Sequence, residues 1–178
     1  MEEKIITVFG SARVAEPDEE YKRAYEIGKE LAHAGFAVCN GGFGGAMEAS
    51  SRGAKDGGGK TIGVTFDVKS RMPNPWLDKQ IHLPKLIDRM QRLIDMGDAY
   101  VVLKGGTGTL LELAAVWEFI NKGISHEKPI VIVGEFWSGV VETLRAESLW
   151  EGVGDCTKFI HRVETPKECA EYLKQQLR

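Results

Sequence analysis

The sequence predicts an α/β protein with a Rossmann-like, doubly wound and mostly parallel sheet of about seven strands, covered by helices on both faces. Strand-like and helix-like segments alternate along all 178 residues. The strand-like segments are continuous apolar runs, which is typical of parallel strands buried on both faces of a sheet. Because no linker, repeat or low-complexity tract interrupts this alternation, residues 1–178 are expected to form a single domain.

Each predicted element follows from its local pattern. Strands are predicted where short apolar runs are rich in β-branched residues, at 4–9, 36–40, 61–66, 79–83, 99–103, 129–133 and 158–163. Helices are predicted where apolar residues recur at helical spacing, at about 17–33, 46–55, 84–96, 110–122, 138–146 and 166–176. The segment 67–78 contains Pro73 and Pro75 and is expected to be irregular.

Composition and charge argue against several classes of protein. Apolar residues make up 43% of the chain and charged residues 28%, as in ordinary globular proteins. No apolar run approaches the ~20 residues of a membrane span, and the first residues lead directly into a strand-like run rather than a signal peptide. A net charge of -3 and a pI of about 5.9 are untypical of nucleic-acid binders. We therefore expect neither a membrane nor a nucleic acid as a partner.

The cysteines and histidines do not form a recognisable metal or disulfide pattern. Cys39, Cys156 and Cys169 are odd in number, lie far apart and include no CxxC pair. The four histidines share no spacing typical of metal ligands. The sequence thus predicts no metal and no cofactor, and a reducing, cytoplasmic location.

Glycine is the most informative residue type, because several of its 21 copies cluster after three of the predicted strands. The clusters lie at Gly10, at Gly41–Gly45 and at Gly105–Gly108. Ligands of open parallel sheets bind beyond the carboxyl ends of the strands. We therefore expect the three clusters to meet in one crevice.

Residues 104–109, with the sequence Lys-Gly-Gly-Thr-Gly-Thr, are typical of a phosphate-binding turn between a strand and a helix. Glycine lets the backbone approach a ligand closely, and the N–H groups and dipole at a helix start favour an anion. The alternative, a merely tight turn, seldom needs three glycines in four residues. The residues expected to bind phosphate are Gly105, Gly106, Thr107, Gly108 and Thr109.

Two other glycine-rich segments match nucleotide-binding motifs only in part. Residues 42–47 resemble GxGxxG, but Met47 occupies the third glycine position and the segment follows the second strand instead of the first. Residues 56–61 resemble the end of a P-loop, but a strand follows where that motif needs a helix. ATP hydrolysis of the P-loop type is therefore excluded.

Charged residues near the predicted crevice have both structural and functional interpretations. Glu112 either caps the helix together with Thr109 as N-cap, or places a carboxylate where it activates water or binds a ribose hydroxyl. Arg89 and Arg92 lie on the preceding helix and either face solvent or reach the crevice. The same two interpretations apply to Arg13, which follows the turn after the first strand. Arg71 falls in the irregular segment.

Residues 105–112, Gly-Gly-Thr-Gly-Thr-Leu-Leu-Glu, resemble the PGGxGTxxE signature of the Lonely-guy (LOG) family, which is also labelled "possible lysine decarboxylase". Val-Phe-Gly-Ser at 8–11 looks like the first-strand turn of that family. Residues 40–47, with Gly53 and Ala54, look like its second glycine-rich turn and helix, and residues 98–103 look like the strand before the signature. The resemblance covers roughly residues 5–135.

The resemblance implies a Rossmann-like fold, a homodimer and hydrolysis of the N-glycosidic bond of a nucleoside 5'-monophosphate. The substrate it implies is AMP or an N6-modified AMP, and the products are the free base and ribose 5-phosphate. The family's catalytic arginine falls on Arg89 and its signature glutamate on Glu112. The residues that the matching turns place at the nucleotide are Gly10, Ser11, Gly41, Gly42, Gly44, Gly45 and Met47.

The sequence departs from the family pattern at Lys104, where the signature has proline, at Leu111, where many members have a second glutamate, and around Arg89. Related branches of the superfamily bind a ligand without this chemistry. The alternative function is therefore a non-catalytic carrier or sensor of a phosphorylated ligand, similar to molybdenum-cofactor carriers. Nothing resembles a pyridoxal phosphate site, which argues against a lysine decarboxylase.

Two helices are apolar on more than one side. Residues 110–120 wrap most of their helix with apolar side chains, a pattern typical of a helix buried all round in the core or against a partner. The helix beginning at Pro84 shows the same feature. These patterns predict a homodimer whose interface includes both helices.

Overall fold

The computed structural model of the protein describes residues 3–68 and 71–177. In these ranges the strands are β1 (Ile5–Phe9), β2 (Ala37–Asn40), β3 (Thr61–Phe66), β4 (Lys79–Leu83), β5 (Ala99–Val102), β6 (Ile130–Val133) and β7 (Ile160–Val163). The helices are α1 (Glu19–His33), α2 (Ala46–Asp56), α3 (Leu86–Met96), α4 (Thr107–Asn121), α5 (Ser138–Trp150) and α6 (Pro166–Gln176). The predicted domain also includes residues 1, 2 and 178, which lie outside the described residues. The same holds for residues 69 and 70 of the segment predicted to be irregular.

All seven strands form one sheet in the order β4-β3-β2-β1-β5-β6-β7. Every neighbouring pair in the sheet is parallel, which confirms the predicted fold class. The chain builds outward from β1 to β4 and then returns to place β5 on the other side of β1. This reversal leaves a crevice beyond the carboxyl ends of β1 and β5, where ligands of such sheets bind.

The core consists of two apolar layers, one on each face of the sheet. The first layer packs β-strand side chains such as Val8 and Val101 against α1, α2 and α6. The second packs side chains such as Tyr100 and Val102 against α3, α4 and α5. Because successive strand residues point to opposite faces, both layers draw on every central strand, which explains why the strand sequences are apolar throughout.

Two helix boundaries differ from the sequence prediction by three residues or more. Helix α4 begins at Thr107 instead of residue 110, because Gly106 is extended and already serves as the N-cap. Helix α5 continues to Trp150 instead of ending near residue 146. Its last turn is anchored by Ser148, which is buried and donates a hydrogen bond to the Gly154 carbonyl at 2.6 Å. None of the helices in the described ranges is long and apolar enough to span a membrane.

Candidate active site

The glycine-rich turns after β1, β2 and β5 meet at one crevice on the carboxyl edge of the sheet. Ser11 joins them, because its N–H donates to the Lys104 carbonyl (3.2 Å) and its own carbonyl accepts from the Ala46 N–H (2.8 Å). A Cβ on Gly10 would lie only 2.8 Å from the Cβ of Ala46, so a larger residue would push the turns apart. The crevice between them has a volume of about 340 Å³.

Most of the residues predicted from the sequence line this crevice. They are Gly10, Ser11, Gly41, Met47, Arg89, Gly106, Thr107, Gly108, Thr109 and Glu112. The structure places Gly42, Gly44, Gly45 and Gly105 outside the lining. The three turns and the two predicted catalytic residues are thus brought together.

Packing accounts for three of the glycines that lie outside the lining. Gly42 and Gly45 have φ values of 75° and 71°, in the left-handed region that favours glycine. A Cβ on Gly45 would also overlap the Ser11 carbonyl, and one on Gly105 would overlap the Thr109 side chain. The fold itself therefore requires glycine at these positions.

Gly106 and Gly108 have a different environment. A Cβ on either residue would meet no atom within 4 Å, and both residues line the crevice. The fold of the chain alone does not require glycine here. Because glycine has no side chain, open space remains beside the first N–H groups of α4. These N–H groups have no intrahelical partner and favour an anion.

Thr109 is the third residue of α4 and is buried, so it is not the N-cap. The N-cap is Gly106, and no side chain caps the helix. The interpretation of Glu112 as a capping-box residue is therefore wrong. Glu112 lies deeper in α4, where its side chain is 16% exposed and faces Arg89.

Arg89 is buried, with 6% of its surface exposed. It lies four residues before the buried Leu93 and therefore on the inner face of α3. Its Nε donates to the Val64 carbonyl at 2.7 Å, and its Nη1 lies 3.5 Å from Oε1 of Glu112. The interpretation as a solvated helix residue is wrong for Arg89, whereas Arg92 is exposed as that interpretation expects.

The guanidinium of Arg89 lies in a tightly packed pocket. Its central carbon is 5.2 Å from the ring centre of Phe66 and 5.9 Å from that of Phe43, distances typical of cation–π contacts. Nη2 lies 3.8 Å from the sulfur of Met47, and a Cβ on Gly41 would overlap Nη2. Gly41 is therefore a glycine because the guanidinium occupies the space of a side chain.

Phe43 and Phe66 also line the crevice, although neither is among the site residues predicted from the sequence. A signal was available, because Phe43 lies inside the second glycine cluster and Phe66 ends a predicted strand. Arg13 and Arg71 also line the crevice. Of the two interpretations left open for Arg13, a residue facing solvent or one reaching the crevice, the structure supports the second.

Burial favours the uncharged forms of Glu112 and Arg89. It raises the pKa of Glu112 to about 7, and the neighbouring Arg89 opposes this shift. Burial likewise lowers the pKa of Arg89, with Glu112 acting against it. A carboxyl group with a pKa near neutrality is suited to proton transfer, which is the role of a general acid or base. Within the described ranges, no group of three or more acidic, histidine or cysteine side chains is arranged to hold a metal ion.

Comparison with known proteins identifies the family. Residues 3–168 match the SLOG cluster4 family. The chain belongs to this family. It is 36% identical over 126 residues to a cytokinin riboside 5'-monophosphate phosphoribohydrolase of Mycobacterium tuberculosis, covering 69% of this chain and 66% of that protein. A Mycobacterium marinum protein of the same name is 32% identical over 144 residues, which cover 79% of this chain and 75% of that protein. The resemblance to the LOG family is thereby confirmed.

A solved structure has the same fold as this SLOG cluster4 protein over its full length. It is the molybdenum cofactor binding protein of the phototrophic bacterium Rippkaea orientalis, with a TM-score of 0.76 and 25% sequence identity. The match covers 100% of this chain and 99% of that chain. Proteins named for different functions therefore share this architecture, so the chemistry follows from the residues of the crevice and not from the fold.

The space at Gly41 gives a testable prediction for the SLOG cluster4 protein. Gly41→Ala should lower the free energy of unfolding by roughly 1–3 kcal/mol, because the new methyl group displaces a buried guanidinium. Gly44→Ala is the matched control in the same turn, since its Cβ would only approach Glu48 at 3.8 Å. The control should stay within about 0.5 kcal/mol of the wild type. Urea denaturation measures both, and equal midpoints for the two variants would contradict the packing argument.

Proposed function

We propose that the protein is a nucleoside 5'-monophosphate phosphoribohydrolase that cleaves AMP or an N6-modified AMP to the free base and ribose 5-phosphate. The observation that carries this proposal is the buried pair of Arg89 and Glu112, which faces the same crevice as the open start of α4. The relatives named as phosphoribohydrolases support it, although the matches span only part of those proteins.

The crevice has a place for each part of such a substrate. The 5'-phosphate accepts hydrogen bonds from the first N–H groups of α4, beside Gly106 and Gly108. Glu112 lies five residues beyond Thr107, which at ~1.5 Å per residue leaves space for a ribose ring between them. The base extends towards the apolar side of the crevice, where Phe43 and Phe66 lie.

The chemistry requires stabilisation of positive charge and activation of water. When the bond between C1' and the base nitrogen breaks, the base leaves with the electron pair and takes up a proton, while the ribose gains oxocarbenium character. The carboxylate of Glu112 stabilises that charge and accepts a proton from the water that adds its hydroxyl to C1'. Arg89 orients this carboxylate and is close enough to the crevice to contact ribose oxygens. Binding of the phosphate fixes the unreactive end of the substrate, so its binding energy serves the reacting centre.

The second candidate function is a non-catalytic carrier or sensor of a phosphorylated ligand. The observation in its favour is the full-length structural likeness to a molybdenum cofactor binding protein. A carrier needs the anion-binding start of α4 but has no use for a proton-transferring carboxylate. Hydrolysis and its dependence on Glu112 therefore separate the two functions.

Wild-type protein should release free base and ribose 5-phosphate from AMP or N6-prenylated AMP, and Glu112→Gln should reduce the rate by about 10²–10⁴-fold. Glutamine keeps the size of the side chain but neither carries the charge nor accepts the proton. Chromatography of reactions with AMP, GMP, CMP, UMP and the prenylated nucleotide measures the release.

Glu118→Gln is the matched control, because Glu118 lies on the same helix, is exposed and forms only a surface ion pair with Lys122. It should keep the wild-type rate. If folded wild-type protein releases no base from any of these nucleotides, the carrier function is favoured. Full activity of Glu112→Gln would remove the proposed role of the carboxylate.

The pH dependence follows from the raised pKa of Glu112. The proposed mechanism uses the carboxylate, whose population falls as the pH drops below the pKa of about 7. We expect kcat/KM to fall about tenfold per pH unit below that value and to level off above it. A nucleotide phosphate titrates near pH ~6, so the affinity of Glu112→Gln for AMP should be measured over the same range as a correction. A rate that falls above pH 7 would instead identify Glu112 as an acid.

We propose that the protein acts in the cytoplasm as a homodimer with a small-molecule nucleotide as its substrate. All three cysteines are free thiols, which fits a reducing compartment. The sequence predicts that α4 is buried on all sides, but in a single copy of the chain Leu110 and Leu111 are 39% and 42% exposed. Leu86 and Ile87 of α3 are exposed as well. A partner copy would cover these apolar side chains.

Sedimentation velocity at micromolar concentration should show a dimer for the wild type and a monomer for Leu111→Asp, because the charge would be buried in the interface. Leu149→Asp is the control, since Leu149 is similarly exposed but lies on α5. That variant should remain a dimer. A monomeric wild type would remove the proposed assembly.

A further inference from the structure

The arginines of residues 3–68 and 71–177 divide into two groups by their ion pairs. Among the described residues, an acidic side chain lies within 4 Å of Arg23, Arg52, Arg89, Arg145 and Arg162. No described acidic side chain lies that close to Arg13, Arg71 or Arg92. Two of these three unpaired arginines, Arg13 and Arg71, line the crevice, whereas Arg92 lies on α3 outside it.

The two unpaired arginines of the crevice come from different sides. Arg13 follows β1, and its N–H donates to Oγ of Ser11 at 3.1 Å, in the loop that is hydrogen-bonded to the turn before α4. Arg71 belongs to the segment between β3 and β4, and its charge contributes to lowering the pKa of Arg89. Both residues are exposed, and both line the same cavity of about 340 Å³.

The crevice carries an excess of positive charge in a chain whose net charge is -3. Its charged lining residues are Arg13, Arg71 and Arg89 against the single carboxylate of Glu112. That carboxylate is already paired with Arg89, so the charges of the other two arginines are not compensated within the described lining. An excess of two positive charges matches a phosphate monoester, which carries about -2 at neutral pH.

We propose that Arg13, from the loop after β1, and Arg71, from the segment after β3, both bind the 5'-phosphate and make the site selective for a phosphate dianion over a monoanionic phosphate ester. A guanidinium presents paired N–H donors that match the oxygens of a phosphate, and the charge strengthens each hydrogen bond. The inference rests on the proposed function, because it takes the ligand to be a nucleoside 5'-monophosphate.

Isothermal titration calorimetry with three probes tests the inference. Ribose 5-phosphate presents the dianion without a base, AMP presents it with a base, and the 5'-monomethyl ester of AMP is a monoanion of nearly the same shape. Arg13→Gln and Arg71→Gln should each weaken binding of ribose 5-phosphate about tenfold or more, because a charged hydrogen bond is lost. Because the wild type is proposed to hydrolyse AMP, AMP and its methyl ester are compared in the Glu112→Gln background. That protein should prefer AMP over the methyl ester, and the preference should shrink when Arg13→Gln or Arg71→Gln is added.

Arg92→Gln is the matched control, because it removes an equally unpaired and exposed charge outside the crevice. It should keep the wild-type affinity and the preference for the dianion. The inference is overturned if Arg13→Gln and Arg71→Gln bind the probes as Arg92→Gln does, or if the wild type binds neither ribose 5-phosphate nor AMP.

The hydrolysis assay, run on the same proteins, separates this inference from the proposed function. A wild type that binds AMP with the expected arginine dependence but releases no base would refute the hydrolase and leave the phosphate site standing. A wild type that hydrolyses AMP while both crevice variants bind like the control would refute the phosphate site alone.

Discussion

The ion pair between Arg89 and Glu112 is the interaction on which the rest of the site depends. Taking two charges out of water costs several kcal/mol for each ion, and only good geometry with further hydrogen bonds offsets this. Here the carbonyl at Val64 accepts from the guanidinium, the rings of Phe43 and Phe66 flank it, and Gly41 leaves space for it. The turn after β2, the end of β3 and the inner face of α3 therefore all adapt to one side chain.

Such a pair adds little to the stability of the fold, because well-packed apolar residues in its place often give an equally stable protein. Its chemical consequence is more specific, since burial moves the pKa values of both groups towards neutrality. A phosphate dianion arriving in the same crevice would favour the protonated form of Glu112 by charge repulsion. Arg13 and Arg71, which line the same crevice, would counteract that effect with their positive charge. In this way the residues that bind the phosphate would also keep the carboxylate ionised for the reaction.

The sequence was sufficient for the order of the elements and for the convergence of the glycine turns, because both follow from local patterns and the geometry of parallel sheets. It was not sufficient to tell why each glycine is present. Gly105 is required by the Thr109 side chain and Gly41 by Arg89, which comes from a distant part of the chain, whereas nothing in the fold requires Gly108. The end of a predicted strand places Phe66 near the crevice, but only the packing of α3 on β3 shows that its ring lies beside a guanidinium.

The floor of the crevice also bears on the choice between hydrolase and carrier. The unpaired N–H groups at the start of α4 favour an anion, and a carboxylate nearby would weaken the binding of an anion that is only carried. Glu112 lies in the crevice with an exposed fraction of 16%, where it opposes the binding of any anionic ligand while it is ionised. A hydrolase has a use for this unfavourable charge, because the positive charge that develops on the ribose in the transition state makes it favourable there. The position of Glu112 is therefore unfavourable for holding the phosphate and favourable for breaking the glycosidic bond.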